Sequence, residues 1–331
     1  MLRNRKIMVY GCGIILLLVL FVSDLLSGDS SVSLLHPSDA QKLIFWKLRL
    51  PRALAALLGG AALSLSGLQM QAVFRNPLAD PHIMGVSAGA SLAAAFVTAA
   101  LPNALNTGAL SGLSLAAAAF LASAVVTLLI LALSARIDNA NALLIFGVMV
   151  GYVLSACTSI IEYSSSDKAL RLFYNWSAGS FSSVSWPQLA IMASMIAIGI
   201  IVCCRNLHGL DLLLFGDSFA LSAGADVKRV RAAAMLSTCL LSSAVTAFCG
   251  PLGFVGIAGP HIARWAWGSS VHGRVLPGSL IAGSSIALIA DLLSVNLPVA
   301  IPVGSAMAVV GLPVVFIIIL RSLRGGMSKN A

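Results

Sequence analysis

Charges along this chain gather in short clusters, and long uncharged stretches run between them. The uncharged stretches are residues 7–23, 83–135, 139–161, 172–204, 232–263, 275–290 and 292–320. A transmembrane helix needs about 20 predominantly apolar residues. Stretch 83–135 is therefore long enough for two, parted at Pro102, Asn103, Asn106 and Gly108. The pattern predicts ten spans, at 7–26, 53–74, 84–101, 109–134, 142–163, 186–204, 232–250, 253–267, 275–297 and 301–320. The expected fold class is an all-α polytopic membrane protein, a single transmembrane domain over 1–331.

Composition supports that picture. Apolar residues make up 59% of the 331 residues and charged residues 9%, against about 25% charged in a soluble domain. Arg3, Arg5 and Lys6 followed by an apolar run imitate a secretory signal. Ser23-Asp24-Leu25, however, does not serve as a small-residue cleavage site, so the first helix is expected to stay uncleaved. The net charge of +9 does not point to nucleic acid, because the basic residues form no stripe and have few aromatic neighbours. They read as topology signals.

Those signals place the N-terminus in the cytoplasm. Alternation then puts Arg75, Arg136, Arg205, Lys228, Arg229, Arg231, Arg264, Arg274, Arg321, Arg324 and Lys329 on the cytoplasmic side. Lys42, Lys47, Arg49, Arg52, Lys168 and Arg171 remain outside. Dropping the short span 253–267 would move the basic tail outside, which favours ten. Both termini are then cytoplasmic.

Two spans are short or broken by Gly and Pro: 84–101 and 253–267. Each is the second helix of a four-helix block, 53–163 and 232–320, and the two blocks enter the membrane from opposite sides. Interrupted helices at matching places in opposed repeats are a transporter signature. Pro81-His82-Ile83 recurs as Pro260-His261-Ile262.

Few residues offer chemistry. Gly60, Ser64, Gly67 and Gln71 share one helix face and read as a close-packing surface. Gly85-Val86-Ser87-Ala88-Gly89 matches the G-x-S-x-G elbow of hydrolases, but it opens an apolar helix where the elbow needs a strand-to-helix turn. Asp291 is an acid inside a span; such acids mark ion pathways, and near a helix end an internal pair or cap also accounts for one. The five histidines have no metal-ligand spacing. Cys12, Cys157, Cys203, Cys204, Cys239 and Cys249 read as small apolar residues. There is no Gly-Lys dipeptide and hence no phosphate-binding Walker loop, so ATP and Mg, if used, belong to another polypeptide. Arg49 and Arg52 break the positive-inside trend, either by snorkelling to the interface or by docking an acidic partner.

Several segments together resemble the FecCD family, the permeases of siderophore, haem and cobalamin importers. They are Leu48-Arg49-Leu50-Pro51-Arg52, Gly59-Gly60-Ala61-Ala62-Leu63, Arg75-Asn76-Pro77-Leu78-Ala79-Asp80-Pro81, Gly253-Phe254-Val255-Gly256 and Pro260-His261-Ile262-Ala263-Arg264. Ser66-Gly67, Gly85-Val86-Ser87-Ala88-Gly89-Ala90, His272-Gly273-Arg274, Leu276-Pro277-Gly278, Ala290-Asp291 and Pro302-Val303-Gly304 complete the set. The resemblance covers about 45–320. It implies ten spans and a homodimer in the bacterial inner membrane, with the translocation path at the dimer interface. It also implies two ATP-binding-cassette ATPase subunits below, a periplasmic binding protein above, and alternating access. Arg49 and Arg52 would then dock that binding protein. Within the cytoplasmic segment 205–231, Leu214, Phe215, Gly216, Asp217, Ala220, Ala223 and Gly224 would couple to the ATPase, with Phe215 and Ala223 replacing the family's leucines. Ala140 and Asn141 would mark the cytoplasmic gate. The cargo would be an iron complex (siderophore or haem) or a cobalamin-type chelate, its metal already held. The rivals are an ion-coupled secondary transporter of a small solute using Asp291 and an intramembrane hydrolase using Ser87.

Overall fold

The computed structural model describes residues 2–28, 38–100, 109–134, 136–137, 140–297 and 301–327; every regular element among them is helical. The expected break at Pro102, Asn103, Asn106 and Gly108 lies outside the described residues.

The first helix is α1 (Leu2–Leu26). Next, α2 (Asp39–Ile44) runs through a π-helical turn, Phe45–Arg49, into α3 (Leu50–Phe74). A 3-10 turn, Pro81–Met84, precedes α4 (Val86–Ala100), and α5 (Ala109–Ser134) and α6 (Ala140–Tyr163) follow. Then come α7 (Asp167–Ser177), α8 (Trp186–Leu213) and α9 (Asp217–Ser222). The chain closes with α10 (Val227–Cys249), α11 (Val255–Trp267), α12 (His272–Asn296) and α13 (Val303–Met327).

Seven described helical segments are long and apolar enough to cross a bilayer: α1, the continuous α2–α3 segment, α5, α6, α8, α10 and α12. Helices α4 and α13 add two shorter apolar segments. The remaining expected span, α11, has 13 residues with Pro260 inside it. Several elements depart from the expected pattern; helix α2 lengthens the expected 53–74 span back to Asp39. Helix α8 runs past 204 to Leu213, because a helix leaving the bilayer keeps its internal hydrogen bonds in water. Helix α7 forms where no helix is expected. Ser166 caps it by accepting from the Ala169 amide, and Ala169 and Phe173 bury one face while Asp167, Lys168 and Arg171 stay exposed. At 11 residues it is too short for a search by span length.

Helix α3 sits at the centre, against α12, α10, α11 and α8. The expected close-packing face does this work. A Cβ on Gly67 would collide with the Gly256 carbonyl, and one on Gly60 with the Gly283 carbonyl and the Ala287 methyl. Ser64 lies against Gly259 and Gly283. Lipid tails give helices no hydrophobic incentive to associate, so backbone-close packing supplies the contact energy. The neighbours are matched in pairs. Helix α3 packs on α12 and α11, and α10 packs on α5 and α4; α4 touches α5 and α6, and α11 touches α12 and α13.

Candidate functional site

Arg49 and Arg52 are not presented to solvent, being 4% and 8% exposed. Both grip the last turn of α1, whose final carbonyls lack intrahelical partners and carry the negative end of the helix dipole. Arg49 Nη1 donates to the Leu25 and Leu26 carbonyls at 3.3 and 2.9 Å, and Arg52 Nη2 to the Asp24 carbonyl at 3.0 Å. Arg52 also pairs with two fully buried carboxylates, Asp24 at 3.5 Å and Asp291 at 3.0 Å. Asp291 is thus an internal ion-pair partner that ties α12 to α3 and α1. Asp24 was missed by the sequence reading. Its place near the end of a span, at the depth of Arg52 and Asp291, was the available signal. A cavity of about 410 Å³ opens beside this cluster, lined by Ser27, Gly28, Ile44, Leu48, Arg49, Arg52 and Ser182.

The expected coupling segment is a sharp turn followed by a six-residue helix. Gly216 has φ +104°, which side-chain-bearing residues rarely adopt. Asp217 does not project freely; its Oδ2 lies 2.6 Å from Arg231 Nη2 on α10, and the arginine is 6% exposed. Ala220 is buried beneath, while Ala223 and Gly224 end the helix. What faces outward is apolar. Phe215 is 73% exposed and its ring lies 5.1 Å from that of Phe219, with Leu214 and Leu221 also exposed. Ala140 and Asn141 begin α6, whose outward face carries one stripe of hydroxyl-bearing residues, Tyr152, Ser155, Ser159 and Tyr163, beside an aliphatic one that includes Ile145, Val153 and Ile160. The exposed large residues of α1 and α5 are aliphatic or Met, such as Ile15, Val19, Leu121 and Val125.

The repeated Pro-His-Ile segments exchange bonds. His82 Nε2 meets the Leu252 carbonyl at 2.6 Å just before α11, and His261 Nε2 meets the Pro77 carbonyl at 2.9 Å just before the turn into α4. His82 Nδ1 contacts the Ser87 hydroxyl. Asp80 accepts from the His82 backbone amide at 2.9 Å, and its carboxylate stays 3.9 Å from Nε2. Both imidazole nitrogens are therefore taken up in joining helix ends, and no acid is hydrogen-bonded to the ring as a hydrolase relay needs. Among the described residues no three His, Cys, Asp or Glu side chains group to hold a metal.

An all-helical bundle with seven described apolar segments long enough to cross a bilayer is that of a polytopic membrane protein. This chain belongs to the FecCD transport family, whose model matches residues 12–321. It is similar to the vitamin B12 import system permease proteins BtuC of Citrobacter koseri and Salmonella typhi. The first is 34% identical over 317 residues, 94% of this chain and 93% of the relative. The second is 34% identical over 314 residues, covering 93% and 94%. A solved structure of an inward-facing transporter assigned to the metal-chelate ABC type superposes with a TM-score of 0.83 at 25% identity, covering 94% of this chain and 98% of that one.

Proposed function

We propose that this chain is the membrane-spanning subunit of an ATP-binding-cassette importer in a bacterial inner membrane. Two copies form the path, two ATPase subunits bind below, and a periplasmic binding protein delivers the cargo. The cargo class is a bulky chelate: cobalamin, as named for the BtuC relatives, or an iron complex of siderophore or haem type. ATP and Mg are used on the ATPase, and Ala140–Asn141 close the path on the cytoplasmic side.

The observation that carries this reading is the exposed Phe215–Phe219 pair on a turn braced by Asp217 and Arg231. An aromatic knob on a rigid support suits seating in a groove of another protein. Substituting Phe215→Ala and Phe219→Ala together should leave the permease folded but lower cargo uptake in liposomes by at least tenfold, with ATP hydrolysis continuing uncoupled. Full uptake in that variant would remove the coupling assignment. Asp217 is the wrong residue for this test, since losing it also removes the Arg231 ion pair that braces the turn.

The hydroxyl-bearing stripe Tyr152, Ser155, Ser159 and Tyr163 on the outward face of α6 supports a path between two copies, because the exposed large residues of α1 and α5 carry no hydroxyl. A Tyr152→Cys variant, in a background without the native cysteines, should crosslink two copies, whereas Val125→Cys on α5 should not. Crosslinking from α5 alone would move the interface. The matched helix contacts and exchanged histidine bonds support two opposed repeats, 53–163 and 232–320. In this reading the binding protein's acidic side chains reach Arg49 through the 410 Å³ cavity, and complementary charge there steers encounter and fixes register.

A further inference from the structure

At the end of the bundle away from the Arg52 cluster, α3, α11 and the segment leading into α9 enclose a cavity of about 590 Å³. Arg75 and Arg264 line it with Gln71, His261 and Ser270, and no described aspartate or glutamate does. Arg264 is held in place: its Nη2 donates to Gln71 Oε1 at 2.5 Å, and Gln71 Nε2 donates to the Gly256 carbonyl at 3.2 Å. A neutral amide thus orients the guanidinium without cancelling its charge. Arg75 ends α3 in left-handed backbone, with its side chain exposed. On the adjoining α8, the Asp211 carboxylate is taken up by His272, from its backbone amide at 2.8 Å and Nδ1 at 2.6 Å. Among the described residues neither Arg75 nor Arg264 joins an ion pair.

The cavity lies at the ends of membrane-spanning α3 and of α11. Trp265, next to Arg264, is exposed, and half-buried Tyr10 donates to the Arg274 carbonyl at 2.6 Å. Tryptophan and tyrosine collect at headgroup depth, where an amphipathic ring meets both phases.

We propose that this cavity binds the phosphate of an anionic phospholipid headgroup, held between the guanidinium groups of Arg75 and Arg264. Basic pockets between transmembrane helices take such headgroups, and the planar donor fork of arginine matches two phosphate oxygens at once. Leu214 and Phe215 form part of the same wall, so a bound headgroup ties the segment before α9 to α3 and α11. The inference rests on the chain spanning a bilayer and is independent of the cargo.

The test reconstitutes the full-length permease in nanodiscs of mixed phosphatidylglycerol and phosphatidylcholine and reads retained lipid by native mass spectrometry. Phosphatidylglycerol should be retained over phosphatidylcholine by roughly tenfold or more, because both lipids offer the same phosphate but phosphatidylcholine adds a choline cation that the two guanidinium groups repel. Arg75→Gln and Arg264→Gln should each lose most of that preference, and Arg171→Gln on α7 should keep it. If Arg264→Gln fails to fold, Arg75→Gln, which alters an exposed side chain, decides the matter alone. Equal retention of the two lipids, or an undiminished preference in Arg75→Gln, would overturn the proposal. So would equal stabilisation of lipid-free protein by inorganic phosphate, which would assign the site to a free anion. Loss of the lipid when ATPase subunits are added would likewise give the cavity to that partner.

Discussion

Replacing Arg52 with leucine is expected to lower the stability of this permease by about 3–5 kcal/mol, the usual cost of leaving a buried charge without its partner. Arg52 is the cation between Asp24 and Asp291, both fully buried, so the variant leaves two carboxylates facing each other across three helices. The effect should appear as a sharply lower unfolding temperature in detergent and little accumulated protein. Adding Asp24→Asn and Asp291→Asn to Arg52→Leu should recover most of the loss, because the stranded charges go with the arginine. A thermal midpoint for Arg52→Leu equal to that of the unaltered protein would show that the cluster carries no stability. Reversing Arg49 and Arg52 to glutamate would be a poor test of docking, since it would bury four carboxylates at the end of α1.

Gly67→Val should be comparably severe, for a steric reason. The position a Cβ would take is filled by the Gly256 carbonyl of α11. Backbone cannot swing aside as a flexible side chain can, so α3 and α11 must part. Overpacking ordinarily costs about 1–3 kcal/mol. Here it also breaks the Gln71–Gly256 hydrogen bond one turn further along. Gly60→Val should behave alike through Gly283, whereas Gly11→Val on α1, with nothing within 4 Å, should be nearly silent apart from its helix propensity. The check is monodisperse yield by size-exclusion chromatography of the three variants. A normal yield for Gly67→Val would mean that the two helices do not cross as closely as this.

The sequence by itself determined the parts whose cause is local. Runs without charge mark membrane helices because each buried charge in lipid is expensive, and those runs predicted helices at every site where a long apolar one is described. The spacing of Gly60, Ser64 and Gly67 announced a close-packed face, because small residues on one side of a helix leave room only for another backbone. Family resemblance pointed to the 214–224 segment and to Arg49 and Arg52 from residue patterns alone. Helix α7 escaped because its signal is a short amphipathic alternation, with no apolar run to detect.

Only the tertiary structure decided which distant residues meet. Residues 24, 52 and 291 are far apart along the chain, and nothing local shows that one arginine serves two acids, or that Arg49 caps the helix before it. Asp217 looks like an exposed acid in a polar loop until α10 brings Arg231 against it. The two Pro-His-Ile segments are alike in one dimension; in three, His82 bonds the Leu252 carbonyl before α11 and His261 the Pro77 carbonyl before the turn into α4. The physical reason is the same throughout. A span is specified by the solvent its own residues can tolerate, whereas a buried polar group is specified by the partner that satisfies it, and that partner is chosen by how the helices pack.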